Sequence, residues 1–177
     1  MESVMDLSNY VYAAPEMVLL GLICVVLVVD LFVEDHNRHI TFLAALAAIV
    51  ATIATLLGTA PAETTLVFSG AYVADPLSTV LKVATAGFVA IVFIYSRGYL
   101  GANDLHKGEF YTLGLFGLLG MMIMMSANSL LTMYLGLETL ALSQYALVAI
   151  DRKNVVSAEA AMKYFVLGAI ASGSFLY

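Results

Sequence analysis

The sequence predicts an all-α polytopic membrane protein with six transmembrane helices and its N-terminus outside. Composition, the lengths of the apolar runs and the placement of basic residues carry that prediction. Of 177 residues, 62% are hydrophobic and 11% charged, and the mean hydropathy is +0.97. These values lie outside the globular average and inside the membrane class. A helix needs about 20 apolar residues to cross a bilayer, and six runs approach or reach that length, at 14–33, 40–58, 76–95, 109–126, 129–150 and 155–177. Outside the spans, Lys and Arg fall on alternate connections only. Arg38 follows the first span, Arg97 and Lys107 the third, and Arg152 and Lys153 the fifth, while the N-terminal tail and the connections after spans two and four have none. The positive-inside rule then places the odd-numbered connections in the cytoplasm.

Taken in order, the first and third spans open with Pro15 and Pro76, at the first helical turn, where a missing N–H leaves no bond unmade. The N-terminal MESVMDLSNYVYAAPE has acids where a secretory leader needs a basic region, so no cleaved leader is expected. Between spans two and three, TTLVFSGAYV groups β-formers around a glycine and predicts a short strand or hairpin at the membrane surface. The connections after spans four and five, SAN and DRKN, are short enough to make their helices antiparallel neighbours. Two regions result: residues 1–108, three helices with an external loop at 59–75, and residues 109–177, three more helices. The sixth span is still apolar at Tyr177, which predicts a fragment, with a split gene as the alternative.

Charges inside spans are the candidate functional residues. A charged side chain at the bilayer centre costs about 2.5–3.5 kcal/mol on insertion scales, and such residues usually face inward and pair. Glu138 lies ~13 Å along the inward-running fifth span and Lys163 ~12 Å along the returning sixth, at 1.5 Å per residue. Their similar depth predicts a facing pair near the midplane. Helix specification alone would also account for such a pair, but desolvation makes buried ion pairs weak stabilisers. Glu159 precedes Lys163 by four residues, the favourable helical order for a local pair, so it is a candidate second partner in a relay. Lys82, ~9 Å into span three, is a further candidate, although snorkelling outward towards Asp75 is the simpler expectation. Asp30 and Glu16, near the ends of span one, are expected to be interfacial.

Other signals indicate packing. GLFGLLG at 114–120 sits inside a span and follows no strand, so its glycines mark a helix-packing surface rather than a nucleotide loop. Gly168 and Ser172 form a small-xxx-small pair, and MMIMM at 121–125 is adaptable core. His36 and His39 share a polar turn with acids and an arginine, a pattern that fits a solvated loop. Cys24 is the only cysteine, which excludes a disulfide framework and a Cys-based metal or redox motif. No NAD, flavin or iron–sulfur motif and no nucleic-acid-binding signature is present.

The block LLTMYLGLETLALSQYALVA, a short basic loop and SAEAAMKYFVLGAIASG resemble helices five and six of the subunit N family, antiporter-like membrane subunits of bacterial proton-pumping NADH:quinone oxidoreductase (respiratory complex I). The early APE and the ADPLS before span three agree. The resemblance implies the first six of fourteen helices, with 109–177 as the start of a proton-translocation repeat truncated at 177. It implies Glu138 and Lys163 as translocation residues in the bacterial inner membrane. It further implies other complex I membrane subunits as partners, with NADH and quinone as substrates of the whole complex. FMN and iron–sulfur clusters would lie in partner subunits and none in this chain. The family's broken helices and further lysines would fall beyond Tyr177. An Mrp-type cation/proton antiporter subunit is the nearest alternative, and a passive scaffold or assembly subunit is a different class.

Overall fold

A computed structural model describes residues 7–33, 39–103, 105 and 108–177. In chain order the elements are α1 (Leu7–Tyr12), α2 (Ala14–Phe32), α3 (His39–Gly58), β1 (Thr65–Val67), β2 (Tyr72–Ala74), α4 (Pro76–Ala102), α5 (Gly108–Met125), α6 (Leu130–Val148) and α7 (Val155–Leu176). The predicted spans correspond to α2 to α7. Five of these helices, all but α6, are long and apolar enough to cross a membrane. The 19-residue α6 is diluted by Glu138, Ser143 and Gln144, and its length and position between α5 and α7 are those of a sixth crossing. Arg38, Lys107 and His36, used above for orientation and for the polar turn, lie outside the described residues.

The core sits among α2, α3, α4 and α5. Leu19, Ile23 and Val26 of α2 form a stripe at helical spacing, and Ala45, Ala48, Ile49 and Leu56 form the matching one on α3. The small alanines let the two helices approach closely, as membrane interfaces favour. Leu115, Leu118 and Met122 of α5 complete the cluster with Phe93 of α4. The buried Thr52 hydroxyl bonds within its own helix, its Oγ1 donating to the Ala48 carbonyl at 2.8 Å. Asp30, expected at an interface, accepts from Thr41 Oγ1 at 2.8 Å.

The helices α5 and α6 are in backbone contact at the predicted glycine surface. A Cβ on Gly120 would stand 2.6 Å from the Leu140 nitrogen and 2.7 Å from the Gly136 carbonyl. At Gly168 the neighbour is a side chain instead: a Cβ there would come 2.5 Å from Cζ of Tyr145, which would have to shift. The predicted hairpin forms, with Thr65 opposite Ala74 and Val67 opposite Tyr72. Its turn uses left-handed backbone at Phe68, Ser69 and Gly70.

Two features differ from expectation. The helix α4 has 27 residues and runs through SRGYLGA, beyond the predicted end of the third span at residue 95. At ~1.5 Å per residue it outreaches a ~30 Å hydrocarbon core; Gly98 and Gly101 alone do not stop a helix that has no proline beyond its first turn. At its far end Arg97 contacts His39 Nδ1 and lies 5.0 Å from the Phe42 ring centroid. The short helix α1 has no counterpart among the predicted elements.

Candidate functional site

Two clusters of ionisable side chains lie in the helices. The first follows from α6 and α7. Ser129 caps α6, its hydroxyl accepting from the Thr132 nitrogen at 3.1 Å, and Asn154 caps α7 through the Val156 nitrogen at 3.0 Å. These caps fix the two helix starts and therefore the depths of Glu138 and Lys163. The two helices meet through edge-to-face contacts of Tyr145 with Tyr164 at 4.9 Å and with Phe165 at 5.5 Å. Glu138 is half-buried, with Tyr134 and Tyr145 near enough to feel its charge.

The expected buried Glu138–Lys163 pair is not formed. Lys163 Nζ instead meets Glu159 Oε1 at 2.6 Å, and both side chains are exposed, at 71% and 60%. The physical reason is local. Glu159 lies one turn away on the same face, so the pair needs no second helix, and little of α7 is covered by the rest of the chain.

The second cluster joins three elements. Lys82 of α4 and Glu16 of α2 form an ion pair at 2.6 Å with side chains only 4% and 10% exposed. Tyr72 of β2 completes it: its phenol oxygen accepts from Lys82 Nζ at 2.9 Å. The one phenol proton can go to Glu16 Oε1 at 3.0 Å or to the Tyr12 carbonyl at 3.1 Å. The ammonium also lies 5.0 Å from the Tyr72 ring centroid. Burial, with the nearby Glu16 carboxylate, pushes the Tyr72 hydroxyl above the ordinary tyrosine range. Glu16 Oε2 is buried without a hydrogen-bond partner. A hollow of about 10 Å³ lined by Tyr12, Thr59, Thr79 and Lys82, among others, adjoins the cluster.

Two expectations are corrected here. Lys82 does not snorkel to Asp75, because that carboxylate is committed to a capping box: Asp75 Oδ1 accepts from the Ser78 nitrogen at 3.0 Å. Glu16 is buried rather than interfacial. Both could have been found from depth, since Glu16 and Lys82 lie in the first two turns of helices that start on the same side, ~6 Å apart along the axis. A lysine side chain bridges that offset. Tyr72 carried no such signal, because its position depends on the hairpin folding back over the helix ends.

A third ion pair among the described residues, Arg152 Nη2 to both carboxylate oxygens of Glu109 at 2.9 and 2.8 Å, is exposed and ties the α6–α7 connection to the start of α5. Exposed pairs of this kind contribute about 0–1 kcal/mol.

Comparison with known proteins adds to this geometry. The family described as "NADH:quinone oxidoreductase/Mrp antiporter, TM" matches residues 127–177, the segment that carries Glu138 and Lys163. NADH-quinone oxidoreductase subunit N of Thioalkalivibrio sulfidiphilus is 51% identical over 97% of this chain and 36% of its own length. The protein of that name in Alkalilimnicola ehrlichii is 51% identical over 97% and 35%, and that in Nitrosomonas europaea 46% over 97% and 36%. The chain thus spans about a third of the length of the curated relatives it matches. Among solved structures, a chain of respiratory complex I from Thermus thermophilus with bound aureothin superimposes with a TM-score of 0.73 at 28% identity, over 92% of this chain and 35% of that one.

Proposed function

The chain is homologous over nearly its whole length to bacterial NADH-quinone oxidoreductase subunit N, and from that premise we propose that it serves in proton translocation as part of an antiporter-like subunit of respiratory complex I. It is a multi-pass protein of the bacterial inner membrane. Electron transfer from NADH to quinone, with FMN and iron–sulfur clusters, belongs to partner subunits. The chain's own contribution is to hold and move protons inside the bilayer. The single observation that carries this reading is identity near one half across 97% of the chain to proteins of that name.

Glu138 is the relay acid and Lys163 its basic partner in this proposal. Lys163 resting on Glu159 represents one of two positions. An adjacent carboxylate favours the ammonium, whereas separation from any carboxylate in a low-dielectric setting favours loss of the proton. Transfer of Lys163 between Glu159 and Glu138 would therefore change its readiness to release a proton, and one pKa unit is about 1.4 kcal/mol. Lys82, the other intramembrane lysine, is held by Glu16 and stands outside this exchange. Replacing Glu138 by Gln, or Lys163 by Ala, in the assembled complex should reduce proton pumping while assembly persists. Wild-type pumping in both variants would sink the proposal.

The family description also names Mrp antiporters, which supports a second reading: the same relay in a complex without NADH oxidation. Purification of the native assembly separates the two, since flavin and iron–sulfur proteins should accompany only a complex I subunit.

A further inference from the structure

The Glu16–Lys82–Tyr72 cluster has no part in the relay proposed above, yet it places a buried charge pair where apolar residues would pack more cheaply. Its connections suggest what the charges are for. Tyr72 is paired along its backbone with Ala127, in the turn between α5 and α6. The Val73 nitrogen donates to the Ser126 carbonyl at 2.8 Å, and the Asn128 nitrogen to the Ala71 carbonyl at 3.1 Å. Asn128 Nδ2 donates to the Gly70 carbonyl at 2.7 Å. The α5–α6 turn is in effect a third strand on the hairpin, and Ser129, the α6 cap, follows directly.

We infer that Glu16, Lys82 and Tyr72 form an anchor that fixes the axial position of α6, and so act as positioning residues for Glu138. The chain of contacts is continuous. The ion pair joins α2 to α4 and holds the Tyr72 hydroxyl; Tyr72 seats β2; β2 and its turn seat residues 126–128; and Glu138 lies nine residues beyond Ser129 on a rigid helix. Charged partners suit this task because a hydrogen bond to a buried charge is stronger and more directional than one between neutral groups. An apolar contact would let the hairpin slide. The inference rests on the relay reading of Glu138 for its functional half only; the mechanical half stands on the hydrogen bonds.

Tyr72→Phe is the test variant, because it removes the hydroxyl and keeps the ring's edge-on contact with Phe68. Hydrogen exchange of the full assembled complex should show the Val73 and Asn128 amides exchanging at least ~10-fold faster, the scale of one lost hydrogen bond to a charged group. Protons moved per NADH oxidised should fall while NADH oxidation itself is retained, which a simple assembly defect would not produce because it lowers NADH oxidation and proton flux together and leaves their ratio unchanged. The double variant Glu16→Lys with Lys82→Glu, which restores a pair, should return the ratio further towards wild type than Lys82→Glu alone. Unchanged exchange at both amides overturns the anchor, and faster exchange with an unchanged ratio overturns its positioning role. Glu138→Gln measured in parallel separates the readings: if it too leaves the ratio unchanged, the relay has failed, and the anchor is judged on exchange at the two amides alone.

Discussion

At the scale of single residues, the two lysines inside the bilayer region differ in how far their partners lie along the chain. Lys163 takes a carboxylate four residues away, and Lys82 one that is 66 residues away. Removing one member of the buried pair strands the other, so Lys82→Met should destabilise the chain by about 3–5 kcal/mol. Adding Glu16→Gln to that variant should restore much of the loss, as read by denaturant titration of the purified protein. Tyr72 adds a pH dependence. Its hydroxyl titrates above the usual tyrosine range, so its contribution is complete below about pH 10 and is lost as pH rises towards the folded value. Tyr72→Phe should flatten stability against pH in that alkaline window. The candidate acid and base were legible because a charge within an apolar run stands out. Their partners were less so: which carboxylate Lys163 selects depends on what covers α7, and Tyr72 reaches Glu16 only because the hairpin folds back.

At the scale of elements, glycine decides how closely α5 and α6 approach. Gly120→Ala would push a methyl into the backbone of α6 at 2.6–2.7 Å, where no side chain can turn aside. A loss of about 1–3 kcal/mol is expected from such overpacking. Gly101→Ala is the control, because nothing lies within 4 Å of that position, and it should be neutral or stabilise α4 by up to ~1 kcal/mol. Thermal unfolding of both variants in one detergent compares them directly. GLFGLLG was legible as a packing surface, since glycines inside a span have few other uses. The length of α4 was not, because tyrosines, glycines and Arg97 read as a loop in sequence and continue as helix once Arg97 finds His39 and Phe42.

At the scale of the whole molecule, α2 to α5 make a packed body, and α6 and α7 carry the acid and the lysine on its less covered side. The orientation follows from the basic connections, and impermeant thiol reagents test it. In a Cys24→Ala background, Glu63→Cys should be labelled from the outer side only, and Lys153→Cys from the cytoplasmic side only. Labels on the same side for both would contradict the charge rule. The spans were legible because the bilayer imposes length and composition together; the anchor at their outer ends depends on contacts distant in sequence and required the fold. The relay proposed for Glu138 moves protons rather than merely pairing helices. Its most direct measurement is the number of protons moved per NADH oxidised by assembled complexes carrying Glu138→Gln, against wild type at equal NADH oxidation. The relay predicts a lower ratio in the variant, and an unchanged ratio would contradict it.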